Sequence, residues 1–130
     1  MPEYVFETFR QVCDTSPSDV IPIDPVPETA ERDFQLRSRR DLLAFIANNG
    51  MEQLTFVNTK DWERNPNPNT PIPVDGYTFM SSFKKGYFAY FFNPKTKKWI
   101  IKSFHLSDDA STIMSAALIR AGLVLEGPKK

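Results

Sequence analysis

The sequence predicts a small α+β domain in which an antiparallel β-meander of three to five strands packs against two or three short helices. Three aromatic and β-branched segments follow one another between residues 76 and 105, as in a meander. Segments 3–13, 38–50 and 107–122 instead space their apolar residues as amphipathic helices do. Because 130 residues is an ordinary size for one folded unit, we expect a single domain over residues 1–130.

The first helix is predicted over residues 3–13, where Val5, Phe9 and Val12 recur at helical spacing. Residues 15–31 contain four prolines, which fix φ and remove backbone donors. We therefore expect a Pro-rich extended arm laid over the domain, with a flexible linker as the alternative. The apolar residues that would anchor such an arm are Val20, Ile21, Ile23 and Val26.

A second helix is predicted to begin after Ser38, whose hydroxyl can accept a hydrogen bond from the backbone N–H of Asp41. Asn49-Gly50 is typical of the left-handed geometry that ends a helix. Residues 50–58 then predict a short strand. Residues 64–75 form a long Pro/Asn loop without periodicity, and loops of this length are often functional.

The meander is predicted from segments 76–82, 85–93 and 97–105, with Lys84-Lys85-Gly86 at the first turn and residues 93–96 at the second. A four-residue second loop places Phe92 opposite Lys97, and side chains then alternate between two faces. The first face is apolar, so we expect its side chains to lie in the hydrophobic core. They are Phe88, Tyr90, Phe92, Trp99 and Ile101. The second mixes lysines with apolar residues, namely Lys85, Tyr87, Ala89, Phe91, Lys98, Ile100, Lys102 and Phe104.

Ser107 is predicted to cap a last helix, followed by a short final strand.

Composition excludes several classes of site. With one cysteine, Cys13, the chain forms no internal disulfide, and with one histidine it has too few soft ligands for a structural zinc site. We expect no metal and no cofactor. No apolar run approaches the length of a membrane span, and the acidic N-terminus is unlike a signal peptide, so we expect a soluble cytoplasmic protein.

The formal net charge is zero, but the charges are segregated along the chain. Residues 1–80 contain thirteen acidic and seven basic residues, whereas residues 81–107 contain six lysines and no acidic residue. Lysines that share a sheet face with aromatic rings are typical of single-stranded nucleic-acid sites, because ammonium groups neutralise phosphates and rings stack on bases. The candidate binding residues are Lys85, Tyr87, Lys98, Lys102 and His105. The alternative is an ordinary solvated edge on which lysines prevent aggregation.

The segment from Lys84 to His105, KKGYFAYFFNPKTKKWIIKSFH, resembles the C-terminal sheet of RelE- and MqsR-type bacterial toxins. Those proteins are compact α+β ribonucleases that cut mRNA with basic and tyrosine side chains on a sheet. The resemblance covers about a sixth of the chain. It implies an RNA-directed function for the same five candidate residues.

No catalytic motif of high specificity occurs, so nothing in the sequence requires an enzyme. The leading hypothesis is therefore a non-catalytic protein-interaction or binding module. Its partner would be another protein or a second copy of the chain, because aromatic residues dominate interface hot spots and the segregated charges favour association. The alternatives are an RNA-binding protein or RelE/MqsR-like ribonuclease, and a small-molecule pocket between the sheet and the helices.

Overall fold

Strands from both halves of the chain build a five-stranded sheet, and helices from the first half cover one side of it. The computed structural model describes residues 1–67 and 69–107. In that part, α1 spans Phe6–Thr15, a single 3₁₀ turn spans Pro17–Asp19, β1 spans Val20–Pro22, α2 spans Val26–Phe34, and α3 spans Arg39–Ala47. The remaining strands are β2 (Glu52–Asp61), β3 (Pro73–Ser81), β4 (Lys84–Asn93) and β5 (Lys98–Leu106). The predicted α+β class with a β-meander is confirmed.

The strand order is β1-β5-β4-β3-β2, so β2 to β5 form an antiparallel meander and β1 adds in parallel at one edge. The three helices of the described residues pack on the same face, which we call the helix face. Its aromatic layer is formed by Tyr77, Phe79, Phe88, Tyr90 and Phe104, in contact with Phe9 of α1 and the apolar residues of α2 and α3. The predicted core residues Phe88, Tyr90 and Ile101 are fully buried there.

The region 15–31 is not an extended arm, because α2 begins within it at Val26. Pro25 occupies the N-cap position of this helix and Pro27 lies in its first turn, where a missing N–H costs nothing. Pro25 and Pro27 therefore lie at the start of a helix instead of in an extended arm. Val20 and Val26 are fully buried, as expected of anchors, whereas Ile21 is exposed at the sheet edge.

The turns of the meander differ from the predicted ones. Ser82 and Phe83, both at positive φ, connect β3 to β4, so that Lys84 already pairs with Ser81. Between β4 and β5 the loop is shifted by one residue, and Asn93 pairs with Lys98. The side chain of Asn93 accepts a hydrogen bond from the N–H of Lys95 at 3.0 Å, which fixes this turn. The 64–75 loop is also shorter than predicted, since β3 begins at Pro73.

A β-bulge in β5 changes the predicted faces. Tyr90 pairs with Ile101 but Ala89 pairs with Ser103, so Lys102 is the extra residue. Phe104 therefore lies in the helix-face core instead of beside the lysines, and the strict alternation predicted for it was wrong. His105 is placed opposite Tyr87 by the same bulge.

The predicted helix start at Ser38 is confirmed, since its hydroxyl accepts a hydrogen bond from the N–H of Asp41 at 3.0 Å. The helix ends where expected, with Asn49 at φ 62°. The helix predicted after Ser107 and the final strand lie outside the described residues. None of the helices in the described part of the chain combines the length and the apolar character needed to cross a membrane.

Candidate functional site

The face of the sheet opposite the helices, which we call the open face, carries the candidate site. No helix of the described ranges packs against it. At one end, the loop after β2 folds over it, and Trp62 packs on Phe91 in a tilted arrangement with ring centroids 4.6 Å apart. The small apolar cluster beneath consists of Ile72, Val74, Ala89, Phe91 and Ile100. The rest of the face carries half-buried polar and aromatic side chains.

Tyr87 lies at the centre of the open face. Its ring is 5.6 Å from the imidazole of His105 on the neighbouring strand, at an interplanar angle of 34°. On the other side it reaches across β3 above Gly76, where a Cβ atom would overlap the Tyr87 hydroxyl and approach Asn58. Partial burial raises the pKa of Tyr87, so its hydroxyl stays protonated at neutral pH.

Lys102 joins two adjoining depressions on the open face. One, of about 270 Å³, lies at the β5 edge of this face. It is also lined by Trp62, Glu63 and His105 and, on its other side, by residues 23–26 and Thr29 around the start of α2. The other, of about 220 Å³, is also lined by Lys60 and Tyr87. Lys102 forms no ion pair or hydrogen bond with another residue of the described ranges, so its ammonium group is available to a ligand. The β-bulge thus supplies this cation at the middle of the surface.

His105 is held in one orientation by its own backbone. Its Nδ1 lies 2.7 Å from the carbonyl oxygen of Leu106, and a carbonyl oxygen only accepts. Nδ1 therefore carries the proton and donates, which leaves Nε2 as the acceptor of the neutral ring. Such a ring can accept a hydrogen bond from a ligand or present its face beside Tyr87.

The five predicted residues separate into two groups. Tyr87, Lys102 and His105 come together on the open face, and Lys85 lies on the same face beside Met80 at its hairpin end. Lys98 does not join them, because its Nζ forms a 2.9 Å ion pair with Asp19 beside the sheet edge. This pairing of the 3₁₀ turn with β5 was not visible from sequence spacing.

Sequence reasoning missed the contribution of β2 and its following loop. Lys60 lies on the open face beside Asn58 because β2 continues to Asp61, three residues beyond the predicted strand. The polar run from Thr59 to Asp61 carries no apolar alternation, so no periodic signal marked it as part of the strand. Asp61 and Glu63 line the same depressions as Lys102 and give the face mixed charge.

Comparison with protein families, with curated proteins and with solved structures gave no match for this chain. Across the described ranges, histidine, cysteine and carboxylate side chains form no group of three that could hold a metal ion. The open face therefore has to be interpreted from its own chemistry. That chemistry consists of rings, ammonium groups and carboxylates arranged on a rigid sheet.

Proposed function

We propose that the protein is a non-catalytic binding module and that the open face of its sheet binds a protein partner. The observation that carries the proposal is the grouping of the half-buried side chains of Tyr87, His105 and Lys102 on adjacent strands. Aromatic rings bury large areas at low entropic cost, and they dominate interface hot spots. A sheet holds these groups in fixed positions, so little ordering is needed on binding.

The charges of the open face favour a protein over a uniform polyanion. Lys60 and Lys102 share their depression with Asp61 and Glu63. These carboxylates would repel phosphates, whereas a protein surface can match both signs. Tyr87 supplies an apolar centre, and the charged side chains form a rim around it.

The proposal is tested by placing a photoreactive amino acid at position 102 and, as a control, at position 95. Lys95 is exposed in the β4–β5 turn, at the far end of the strand from His105. We expect a discrete cross-linked protein from position 102 and none from position 95. The purified partner should then bind the Lys102→Glu variant at least about tenfold more weakly than the Lys95→Glu variant. Equal cross-linking from both positions, or none from position 102, would refute the proposal.

Self-association is the simplest form of this proposal. Sedimentation of the purified chain over a dilution series would reveal a dimer, and Lys102→Glu should shift its dissociation constant while Lys95→Glu should not. A dimer whose dissociation constant responds equally to both variants would place the interface elsewhere. That result would contradict the assignment of the open face.

Single-stranded RNA is the second candidate ligand, and the adjacent rings of Tyr87 and His105 favour it. Bases stack on such rings at about 1–3 kcal/mol each, and Lys60, Lys85 and Lys102 surround them as phosphate contacts. Labelled single-stranded RNA should then bind with a salt slope of about −2, from about 0.7 per phosphate contact. Tyr87→Ala and Lys102→Ala should weaken binding, and intact RNA on a gel would separate binding from cleavage. Absence of binding at low salt would exclude this ligand.

A further inference from the structure

A groove between α1 and α3 lies on the helical layer, on the opposite side of the molecule from the open face. It encloses about 600 Å³ and is lined by the C-terminal end of α1, the 3₁₀ turn and one side of α3. Small-molecule sites in proteins have volumes of about 300–1,000 Å³. The groove therefore has the size of a ligand site.

The floor of the groove is apolar. Cys13, Leu43 and Ala47 form its base and are almost fully buried, and Ala44 lies exposed at its side. Burial raises the pKa of the Cys13 thiol to about 12, so this side chain is an uncharged apolar contact at neutral pH. Two alanines one turn of helix apart keep the groove open, since larger side chains would fill it.

Arginine side chains form one rim of the groove. The Nη2 atom of Arg39 donates a 2.9 Å hydrogen bond to the carbonyl oxygen of Pro17, which fixes the guanidinium group between α3 and the 3₁₀ turn. A guanidinium group has five N–H donors, so most of those of Arg39 remain for a ligand. Neither Arg39 nor Arg40 forms an ion pair with an acidic residue of the described ranges. Two arginines above an apolar floor, one of them held by a hydrogen bond, fit a molecule with an acidic head and an apolar body.

We propose that the α1–α3 groove is a second ligand site, which binds a small organic carboxylate whose apolar body lies on Leu43 and Ala44 and whose carboxylate pairs with Arg39 and Arg40. Planar guanidinium groups bind carboxylates through paired hydrogen bonds. This proposal is independent of the open face, which uses other residues.

The other rim of the groove carries one acidic residue, Asp14 at the end of α1. Its carboxylate repels an anion, so the bound head group should lie on the α3 side. The proposed position of the head group can be tested by substituting the charged residues of the two rims and measuring ligand affinity. Asp14→Asn should strengthen binding about threefold, because it removes a weak repulsion between exposed charges. Arg39→Gln should weaken binding about tenfold, because hydrogen bonds to charged groups are stronger.

The experiment is a titration of the isotope-labelled full chain with octanoate, followed by amide chemical shifts, with octanol as the uncharged comparison. We expect shifts confined to the lining segments 13–18 and 39–48 and a dissociation constant of about 1 mM or below. Octanol should bind about tenfold more weakly. Arg37→Gln is the matched control, because Arg37 belongs to the same arginine run but does not line the groove.

Ala44→Phe should fill the groove and abolish binding, and the exposed position of Ala44 allows the variant to fold. Unchanged shifts throughout the titration, or shifts centred on other residues, would overturn the proposal. Equal affinity for octanol and octanoate would overturn it as well, because the arginines would then have no part in recognition. Equal weakening by Arg37→Gln and Arg39→Gln would indicate a general effect of charge and would also refute it.

Discussion

Gly76 lies directly beneath the hydroxyl end of Tyr87, and a Cβ atom at position 76 would be 3.1 Å from the ring carbon Cζ and would overlap the hydroxyl itself. The central ring of the open face therefore keeps its position because residue 76 has no side chain. Gly76→Ala should move the ring and lower the free energy of unfolding by about 1–2 kcal/mol, as overpacking does. Urea unfolding measures this effect.

The matched control for Gly76→Ala is the same substitution in a Tyr87→Phe background. Without the hydroxyl, most of the overlap is removed, so the alanine should cost less there. A double-mutant cycle would then give a coupling energy of about 0.5–1 kcal/mol between the two positions. Additive effects would show that the two residues do not interact.

Asp75 is predicted to be the strongest polar contributor to stability. It is fully buried, and its carboxylate accepts hydrogen bonds from the N–H groups of Glu3 and Tyr4 at 2.9 and 2.8 Å and from the Thr59 hydroxyl at 2.7 Å. Asp75→Asn replaces one acceptor oxygen with a donor, so the free energy of unfolding should fall by about 3 kcal/mol. Asp61→Asn, on an exposed carboxylate of the neighbouring strand, should change it by less than about 0.5 kcal/mol. A similar loss in both variants would contradict this role.

Asp33 is predicted to make stability depend on acidic pH. Its pKa is lowered from the ordinary 3.8, chiefly by the hydrogen bond from Arg32 and also by that from the Leu106 N–H. A lowered folded-state pKa contributes stability above the ordinary value, and this contribution disappears as the pH falls through the folded pKa. The difference in unfolding free energy between the wild type and Asp33→Asn should therefore be largest near neutrality and shrink below about pH 4. A difference that stays constant from pH 7 to the acid limit would contradict this prediction.

We expect a substitution in the β3–β4 turn to stabilise the folded protein. Ser82 and Phe83 have φ values of 49° and 70°, and the Phe83 side chain is 92% exposed. Two-residue turns with both residues at positive φ favour Asn-Gly, because L side chains are strained there. Replacing Ser82-Phe83 with Asn-Gly should raise the free energy of unfolding by about 1 kcal/mol. Phe83→Ala keeps the strained backbone, so it should raise the free energy of unfolding much less. An equal increase from Phe83→Ala would show that removing the exposed ring, and not relieving the backbone strain, stabilises the protein.

The sequence predicted the parts of the fold that depend on local pattern. The Ser38 cap, the Asn49 helix end and the alternation of Phe88 and Tyr90 each act over a few residues, and each is present in the structure. The loop before β5 was misplaced by one residue, but the resulting shift in pairing was even, so the side chains from Phe88 to Ile101 kept their predicted faces.

The candidate site was predicted only in part, because its composition depends on tertiary contacts. The bulge at Lys102 moved Phe104 into the core and brought His105 beside Tyr87, and no residue type in β5 signals it. The pairing of Lys98 with Asp19 joins residues 79 positions apart. Arg39 and Arg40 were not singled out from the sequence, because their position beside an apolar groove depends on the packing of α1 against α3.

The bulge in β5 also has a genetic consequence. Without residue 102, the remaining residues of this strand would alternate regularly, with Ile101 and Phe104 inside and Ser103 and His105 outside. Loss of a single codon would therefore remove the central ammonium group and leave the interior sequence intact. Homologous genes that differ by this one deletion would encode the same scaffold with a different surface.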